Sequence, residues 1–446
     1  MGLSTPLRDG RGDAAGAQFA RLQATLVGAT TLVRHLVHLR AQPGAPRIHN
    51  CACALSSTAA FLGADIPGAT GAAGLTAEAA GLAALGEAAE RYACAVIPWE
   101  RLTHASAARL GPAALGMDAF PHYLPAQFDD PQFPVRPWTP ATAMYWARAH
   151  CLASGAARFV PAPLVYIPYL YRDTILRSDF VAIGVSTGAS AGPDRTRARL
   201  GGLLECIERD AFMIVWMRRL RMPRLDIRSN DQLAALYDKH YAGCRIEFHL
   251  VDITLDIAVP TVLCIGIAQG KRGPFAVVGC ATRTSLVAAC AKALLEAAQC
   301  HAWASHLMVE RADWRPAPDY ANIVEFEDHV RLYCEPEMVR ELDFLVHGAV
   351  LKPIPAQPPA RSPEDDVRQV QAALAACGLD AVEVDLTPRD IAEAGLQVVK
   401  ILVPGLAPLT SIHSMPALAS PRYQDVPARL GLAGDAAFNR VPHPFP

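Results

Sequence analysis

The chain has 446 residues, of which 52% are hydrophobic and 19% are charged, with a formal net charge of −2. This composition provides a large apolar core and excludes global disorder, and the absence of a basic block argues against a protein that binds nucleic acid by neutralising phosphates. No apolar run reaches the roughly 18 residues of a membrane span, and the N-terminus lacks the apolar core of a signal peptide. We therefore expect a cytoplasmic protein that binds neither nucleic acid nor membrane.

The first third of the chain predicts helices and turns around one strand. Residues 17–41 have helical apolar spacing without proline, which indicates a packing helix or, alternatively, a surface for a partner protein. We assign residues 1–45 as an N-terminal helical segment. Residues 46–63 predict a strand followed by turns, and residues 68–76 predict a glycine-rich turn.

The twelve cysteines are scattered, and several lie in apolar patterns where cysteine acts as a small hydrophobic residue. Cys51 and Cys53 are close in sequence, but no second pair or histidine follows at zinc-site spacing. We predict reduced thiols, with a metal or redox role for Cys51 and Cys53 as the alternative.

A helix predicted from about residue 77 to 96 carries Glu87 and Glu90, which share a face beside Arg91 because they are three residues apart. Isolated patterns of this type usually lie on a solvated face. Here the flanking residues are almost all Ala, Leu and Gly, which indicates a helix buried on most sides. Buried acids need cations, a metal or hydrogen-bond donors.

The stretch from Ser186 to Asp210 combines a loop of small residues with a helix that carries Glu205, Glu208 and Arg209. A third acid-bearing helix is predicted from Ser285 to His306. The functional residues of this third helix lie on one face and are Lys292, Glu296 and Gln299. Three such helices could meet and place several carboxylates around one point.

The remaining elements complete a mixed pattern of strands and helices. Residues 121–140 predict an irregular proline-rich connection, and residues 352–366 predict a proline-rich linker before a helix over 367–377 and a helical turn over 387–391. The predicted strands are Tyr145–Trp146, Phe159–Tyr171 and residues 246–254, 259–269, 274–282, 381–386 and 397–403. The alternating prolines of residues 439–446 favour an extended polyproline II tail.

Carboxylates on several helices beside a Gly/Ser-rich loop suit Mg²⁺, which takes oxygen ligands and commonly holds substrate phosphates as well. Backbone N–H groups of such a loop suit an anion, and Arg209 could contact a phosphate through two N–H groups. The sequence contains no GxxxxGK[ST], GxGxxG or HExxH pattern. The pattern indicates an ATP–Mg²⁺ site of another type or, alternatively, a buried structural cluster of salt bridges.

Several segments, in this order, resemble the YcaO family over about residues 50 to 446. They are GLTAEAAGLAALGEAAERY, STGASAGPDRTRARLGGLLECIERDAF, AKALLEAAQCHA, DLTPRDIAEAGLQVVKILVPGLAPL and the terminal PHPFP. The PHPFP ending, with Asn439 before it, most resembles the azoline-forming cyclodehydratases, the D proteins of thiazole/oxazole-modified peptide clusters. The resemblance and the alternating pattern imply an α/β (α+β) fold, with mixed β-sheets flanked by helices. Residues 46–446 would form one YcaO domain with a proline-rich tail.

The resemblance implies that a Cys, Ser or Thr side chain of a ribosomal precursor peptide attacks the preceding backbone amide. ATP then phosphorylates the amide oxygen, and loss of phosphate leaves a thiazoline or oxazoline. By resemblance, the Mg²⁺ ligands are Glu87, Glu90, Glu205 and Glu208, the ATP-binding residues are Ser186, Arg209, Lys292, Glu296 and Gln299, and the catalytic tail residues are Pro442, Pro444 and Pro446. The tail and its terminal carboxylate would orient the reacting amide or shuttle protons.

The chain departs from the family pattern mainly on the nucleotide side. The family has Gly-Lys-Gly at Ala72-Ala73-Gly74, Ser at Ala83, Asn at Pro193, Glu-Glu-Ala at Thr196-Arg197-Ala198 and Arg at His301. Arg197 is expected to reverse a charge beside the proposed metal.

The resemblance also implies partners: a separate E1-like (ocin-ThiF-like) leader-binding protein, a flavin dehydrogenase in the same complex, and a second copy of the chain in a homodimer. Two other functions stay open. One is a YcaO enzyme that forms a thioamide or an amidine, which the PHPFP tail disfavours. The other is a structural or allosteric subunit of a synthetase complex, which the departures on the nucleotide side favour.

Overall fold

The structure, a computed structural model, describes residues 12–62, 66, 69–120, 122–131, 133–169, 180–347 and 350–446. The helices in this part of the chain are α1 (Gly12–Leu26), α2 (Ala59–Leu62), α3 (Ala77–Ala95), α4 (Ala107–Leu110), α5 (Arg195–Met217), α6 (Asp231–His240), α7 (Leu286–Glu310), α8 (Phe326–Leu332), α9 (Asp343–Val346), α10 (Pro363–Ala376), α11 (Arg389–Glu393) and α12 (Arg422–Leu430). Among these described helices, none combines the length and the apolar content that crossing a membrane requires.

The strands of the described residues form three separate sheets. They are β1 (Val33–Leu39), β2 (His49–Leu55), β3 (Ala69–Gly74), β4 (Thr103–Ser106), β5 (Ala143–Cys151), β6 (Ala157–Pro161), β7 (Ala189–Gly192), β8 (Arg224–Asp226), β9 (Ile246–Asp252), β10 (Thr261–Gly270), β11 (Gly273–Thr282), β12 (Leu351–Pro353), β13 (Val382–Asp385) and β14 (Gln397–Leu402). The sheet orders are β1-β2-β3, β11-β10-β9-β8-β12 and β4-β5-β13-β14-β7, with β6 paired to β5. The parallel pair β8–β12 joins antiparallel neighbours, so the predicted fold of mixed sheets flanked by helices is confirmed.

Each acid-bearing helix directly follows a strand of a different sheet: α3 follows β3, α5 follows β7 and α7 follows β11. The three helices begin at the caps Thr76, Asp194 and Ser285, whose side chains each accept a hydrogen bond from a backbone N–H three residues later. Such caps satisfy donors that a helix start leaves free. The three sheets therefore each contribute one helix to the same region.

Glycine permits the close contact between these strands and helices. A Cβ atom at Gly74 would lie 2.4 Å from the Ala80 nitrogen, and one at Gly279 would lie 2.2 Å from the Ala297 nitrogen. Any side chain at either position would push a helix away from its sheet. The glycines of β3 and β11 thus set how closely α3 and α7 approach.

Two predictions for the N-terminal third are wrong. Residues 17–41 are not one helix, because α1 ends at Leu26 and residues 33–39 form β1, paired with β2. The Thr31 hydroxyl donates to the Leu26 carbonyl 2.9 Å away and so caps the end of α1.

Residues 69–74 are likewise not a turn, because β3 pairs with β2 along its length. Backbone hydrogen bonds to β2 make both segments strands. Their local propensities favour a helix for residues 33–39 and a turn for residues 69–74. The division at residue 45 stays a prediction, although the β1–β2 pairing crosses it.

Other boundaries also differ from the predictions. The strand predicted over 159–171 ends at Pro161, and residues 162–164 form a turn of 3₁₀ helix, while residues 170–171 lie outside the described residues. The loop predicted before α5 contains β7, which pairs with β14. The predicted helices 77–96 and 285–306 and the three strands between 246 and 282 are confirmed, within a few residues.

All twelve cysteines have free thiols. Cys51 and Cys53 are both buried in β2. Burial raises the pKa of Cys51 to about 11 and that of Cys53 to about 12, so both thiols stay protonated at neutral pH. A protonated thiol is neither a metal ligand nor a nucleophile, which supports a packing role for the pair.

Candidate active site

The acids of α3, α5 and α7 converge close enough to repel one another. Burial raises the pKa of Glu90 well above its usual value, and the charges of Glu205 and Glu87 raise it further. Burial likewise raises the pKa of Glu208 to about 8, with the charge of Glu296 as the next cause. Carboxylates of the three helices are therefore close enough to shift one another's pKa, and their role as metal ligands stays a prediction.

One oxygen of Glu205 and one oxygen of Glu208 on α5 each accept a hydrogen bond from a backbone N–H, the first from the loop before β7 and the second from β11. Glu205 Oε2 accepts a hydrogen bond of 2.8 Å from Gly188, and Glu208 Oε2 accepts one of 3.0 Å from Thr282. The other oxygens face Arg209, whose Nη2 lies 3.3 Å from Glu205 Oε1 and whose Nε lies 3.6 Å from Glu208 Oε1. Both carboxylates are thus oriented before any ligand binds.

Arg209 itself is incompletely paired. Its Nε atom is buried without a hydrogen-bond partner in the described chain, because the 3.6 Å separation from Glu208 is too long for a hydrogen bond. The ring of Phe445 covers its guanidinium at 4.0 Å. An arginine with a spare, buried N–H beside carboxylates is suited to a phosphate held together with a cation.

The loop before β7 depends on Gly188. Its φ of +84° is unfavourable for other residues, and a Cβ atom there would lie 2.1 Å from the Ile401 carbonyl oxygen. Ser186, predicted to bind ATP, is exposed at the start of this turn, and its carbonyl accepts a hydrogen bond from Ala189. The loop geometry therefore presents Ser186 to solvent and directs the Gly188 N–H to Glu205.

Lys400 is a site residue that the sequence analysis missed. It lies in β14 with 1% of its surface exposed, and its Nζ donates to the Val185 carbonyl at 2.6 Å. Burial lowers its pKa, while Glu205 and Glu90 are among the nearby groups that oppose this shift. The signal was present in the sequence: a lysine at the centre of the apolar strand VVKIL must find acids or carbonyls when it is buried.

The α7 residues divide into two groups. Lys292 Nζ lies 3.0 Å from Glu296 Oε1, and both side chains are partly exposed. The Gln299 amide is bonded at both ends to the backbone of β3, since its Nε2 donates to Gly71 at 2.8 Å and its Oε1 accepts from Ala73 at 3.0 Å. Gln299 thus holds β3 against α7, and its role at a nucleotide stays a prediction.

On α3, Glu87 forms an ion pair with Arg91 at 2.9 Å and stays partly exposed, next to the more deeply placed Glu90. Ala83, where the family has serine, lies in the same helix with part of its surface open.

The C-terminal tail ends beside these acids. Residues 442–445 are buried, and the Phe445 ring packs 4.7 Å from that of Phe212 as well as on Arg209. Pro446 retains partial exposure next to Phe445. The tail is therefore a packed element of the site, and its predicted catalytic role is compatible with this position.

Two departures from the family pattern have defined contacts. Arg197 pairs with Asp194 at the exposed start of α5, about two helical turns before Glu205. The expectation that Arg197 reverses a charge beside the proposed metal stays a prediction. His301 stacks on Phe275 with ring centroids 5.6 Å apart, and its Nδ1 has no hydrogen-bond partner in the described residues.

The donor set fits Mg²⁺. The converging ligand groups are carboxylates, which Mg²⁺ prefers, and their mutual repulsion would be relieved by a cation. No three His, Cys, Asp or Glu side chains among the described residues are close enough to form a ready-made metal cage. Mg²⁺ does not require one, since it is commonly bound by one or two carboxylates together with phosphates and water. The spare N–H of Arg209 fits an accompanying phosphate.

Comparisons with other proteins agree with this fold. An uncharacterized protein of Methanothermobacter thermautotrophicus (strain Delta H) is 31% identical over 272 residues, which cover 58% of this chain and 65% of that protein. A structure described as a heterocyclase in complex with substrate and cofactor matches with a TM-score of 0.77 and 22% identity over 97% of this chain and 57% of its own. The structure of YcaO from Methanopyrus kandleri bound with AMPPCP and Mg²⁺ matches with a TM-score of 0.60 and 20% identity, over 92% of this chain and 94% of its own. At these identities the two structures show a shared fold, and the chain spans less than two thirds of the Methanothermobacter protein and of the heterocyclase.

The family itself is shown by a sequence match. The family model described as YcaO cyclodehydratase, ATP- and Mg²⁺-binding, matches residues 71–407, which is more than half of the chain. These residues contain all the acids of α3, α5 and α7 described above. Binding of ATP and Mg²⁺ is a property of the family, in agreement with the carboxylates and Arg209. The chain belongs to the YcaO family.

Proposed function

We propose that this chain is an ATP- and Mg²⁺-dependent cyclodehydratase that converts Cys, Ser or Thr residues of a ribosomal precursor peptide into thiazolines or oxazolines. The observation that carries the proposal is the meeting at Arg209 of two elements. Glu205 and Glu208 approach one side of its guanidinium, and Phe445 of the C-terminal tail covers the other. A metal–phosphate site and a proline-rich tail would therefore act on the same substrate atoms.

In this proposal the chain's own residues bind and orient. Glu87, Glu90, Glu205 and Glu208 would hold Mg²⁺, and Arg209 would contact a phosphate. Bound ATP supplies the phosphoryl group that turns the amide oxygen into a leaving group. Such a reaction requires mainly positioning and charge stabilisation from the protein. The existing hydrogen bonds from Gly188 and Thr282 keep the α5 carboxylates in place during the reaction.

Ser186, Lys292, Glu296 and Gln299 are proposed to face the nucleotide by resemblance to the family. The ion pair of Lys292 with Glu296 would have to open or reorient for this role.

The tail is proposed to orient the reacting amide or to carry its proton. Pro442, Pro444 and Pro446 restrict the backbone, so the tail is presented with little loss of conformational entropy. Burial of Phe445 against Phe212 anchors the tail next to the acids.

By resemblance we also propose three partners. The precursor peptide would be delivered by a separate E1-like leader-binding protein, a flavin dehydrogenase would oxidise the azolines in the same complex, and two copies of the chain would form a homodimer. We also propose a cytoplasmic location.

The decisive experiment is reconstitution with the precursor peptide, the leader-binding partner, ATP and Mg²⁺, followed by mass spectrometry. The expected result is loss of one water per ring together with phosphate release. Replacement of oxygen by sulfur would indicate a thioamide-forming enzyme. An unchanged precursor mass in the complete mixture would contradict the proposal.

A second candidate, a structural or allosteric subunit, is favoured by Gln299, whose amide oxygen and nitrogen each form a hydrogen bond with the backbone of β3. Calorimetry with the partner present distinguishes the two. A cyclodehydratase binds ATP in an Mg²⁺-dependent manner, whereas absence of such binding would support the structural subunit.

A further inference from the structure

The C-terminal tail cannot be held like an ordinary strand. Its prolines at 442, 444 and 446 have no N–H group, so the backbone offers mainly carbonyl oxygens for recognition. The carbonyls of residues 441–443 each face a polar atom of a different side chain. Trp216 Nε1 lies 3.1 Å from the first, Tyr333 Oη lies 2.9 Å from the second and His329 Nδ1 lies 2.7 Å from the third. The third accepts a hydrogen bond from the His329 tautomer that carries its proton on Nδ1, because the Nε2 of a neutral ring, 2.8 Å from the Ser411 carbonyl, cannot donate as well.

These three donors are rigidly placed. Trp216 lies near the end of α5, His329 lies in α8 and Tyr333 directly follows α8, four residues after His329 and hence on the same side of that turn. Each has at most 1% of its surface exposed. Three donors without freedom to move match three consecutive acceptors, which selects one register of the tail.

The His443 side chain and Phe445 make further contacts of the tail. The His443 ring stacks on His329 with centroids 3.9 Å apart, its Nε2 lies 2.8 Å from the Thr410 carbonyl, and its Nδ1 accepts the Phe445 N–H at 3.2 Å. Two residues later, the ring of Phe445 lies over the guanidinium of Arg209. A slip of one residue would break all these contacts and remove Phe445 from Arg209.

We propose that Tyr333, His329 and Trp216 are positioning residues that set the register of the C-terminal tail at the active site. They act on the reaction through the tail. The effect on catalysis rests on the proposed function, whereas the effect on the tail itself does not.

The sharpest test is Tyr333→Phe, which removes one oxygen atom and leaves the Pro442 carbonyl without its donor. Amide hydrogen exchange of Val441 and Phe445, measured by mass spectrometry, is expected to become faster. In the reconstituted system kcat for ring formation is expected to fall about 10-fold, which corresponds to about 1.4 kcal/mol of barrier. Mg²⁺–ATP affinity and the KM for the precursor are expected to stay within about two-fold.

Tyr241→Phe is the matched control. Tyr241 is also 1% exposed, but its hydroxyl has no hydrogen-bond partner in the described part of the chain. This variant is expected to leave both tail exchange and kcat unchanged.

His329 allows a rescue test. Asparagine places an amide donor near the position of Nδ1, so His329→Asn is expected to retain more kcat and slower tail exchange than His329→Leu. Equal losses in both variants would assign His329 to packing alone and overturn its positioning role.

Tail hydrogen exchange and kcat together distinguish failure of the positioning proposal from failure of the proposed function. If no protein forms rings but Tyr333→Phe accelerates tail exchange, the proposed function fails and the tail register stands. If Tyr333→Phe changes neither exchange nor kcat relative to Tyr241→Phe, the positioning proposal is overturned.

Discussion

The acid-bearing helices and the C-terminal tail meet at Arg209, but they are held in opposite ways. Glu208 is buried, Glu90 and Glu205 are partly buried nearby, and loss of solvent raises the pKa of each carboxyl. Three consecutive tail carbonyls, by contrast, each have a donor, and Phe445 packs between Phe212 and Arg209. One side of the site has an excess of like charge, whereas the other is neutral and well satisfied.

This difference indicates what each side needs. A cluster of buried acids is stable only with protons, cations or donors, and Lys400 and Arg209 supply part of that requirement. Mg²⁺ would supply the rest. The tail needs no ligand to be ordered, so it can present a fixed surface to the substrate.

The largest expected effect comes from deleting Pro442–Pro446, which removes the buried end of the C-terminal tail. Ring formation is expected to fall by at least about 100-fold, because the reacting amide loses its positioning group. The rest of the fold is expected to persist with lower stability, since loss of a buried Phe445 alone costs about 1.5–3 kcal/mol. Circular dichroism checks that the fold persists. Calorimetry of Mg²⁺–ATP binding checks the carboxylates of α3, α5 and α7. Unchanged turnover in this truncation would remove the tail from the mechanism.

Lys400→Met tests the charge balance of the acid side. The substitution keeps the length of the side chain but removes one of the cations near Glu90 and Glu205, for which we expect a loss of about 3 kcal/mol in the free energy of unfolding. Urea denaturation measures this loss. Lys352→Met in the exposed strand β12 is the matched control and is expected to change stability by less than about 0.5 kcal/mol. Equal effects of the two substitutions would show that Lys400 does not stabilise the acids.

Glu205→Gln and Glu208→Gln test whether the acids bind metal. Each removes one charge and keeps an oxygen for the backbone N–H of Gly188 or Thr282. We expect Mg²⁺-dependent ATP binding to weaken by about 10- to 100-fold, on the scale of losing one ligand-shell interaction. Glu393→Gln, exposed on α11, is the control. Calorimetry that shows the same affinity in all these proteins would identify the cluster as structural.

The smallest expected effect is a dependence of stability on pH. The pKa of Glu208 is raised by burial to about 8, above its unfolded value of 4.5, so the folded protein binds this proton more tightly. Stability without metal is therefore expected to fall as pH rises toward and through 8, and Mg²⁺–ATP is expected to reduce the fall. Thermal unfolding between pH 7 and about 8.5 measures it, a range in which the buried histidines, whose pKa burial lowers, are already neutral. A melting temperature that rises over this range would contradict the assignment.

The sequence predicted the elements whose signals are local. The helices of Glu87, Glu205 and Glu296 have periodic apolar faces and polar caps, and Val398–Ile401 is an apolar β run, so each was recognisable in isolation. β1 and β3 were missed because their small or helix-compatible residues become strands only by pairing with β2. Propensity is a weak guide where a neighbouring strand supplies the hydrogen bonds.

The candidate site shows the same division between local and tertiary information. The spacing of the acids, the Gly188 loop and the proline-rich ending are local patterns, and by themselves they indicated the family that the family model shows. Only the tertiary structure decided that Lys400 faces Glu90 and Glu205, that Gln299 is bonded to β3, and that the tail is seated by Tyr333. These contacts join residues far apart in the chain, and such pairings depend on how three sheets pack together, which no local pattern encodes.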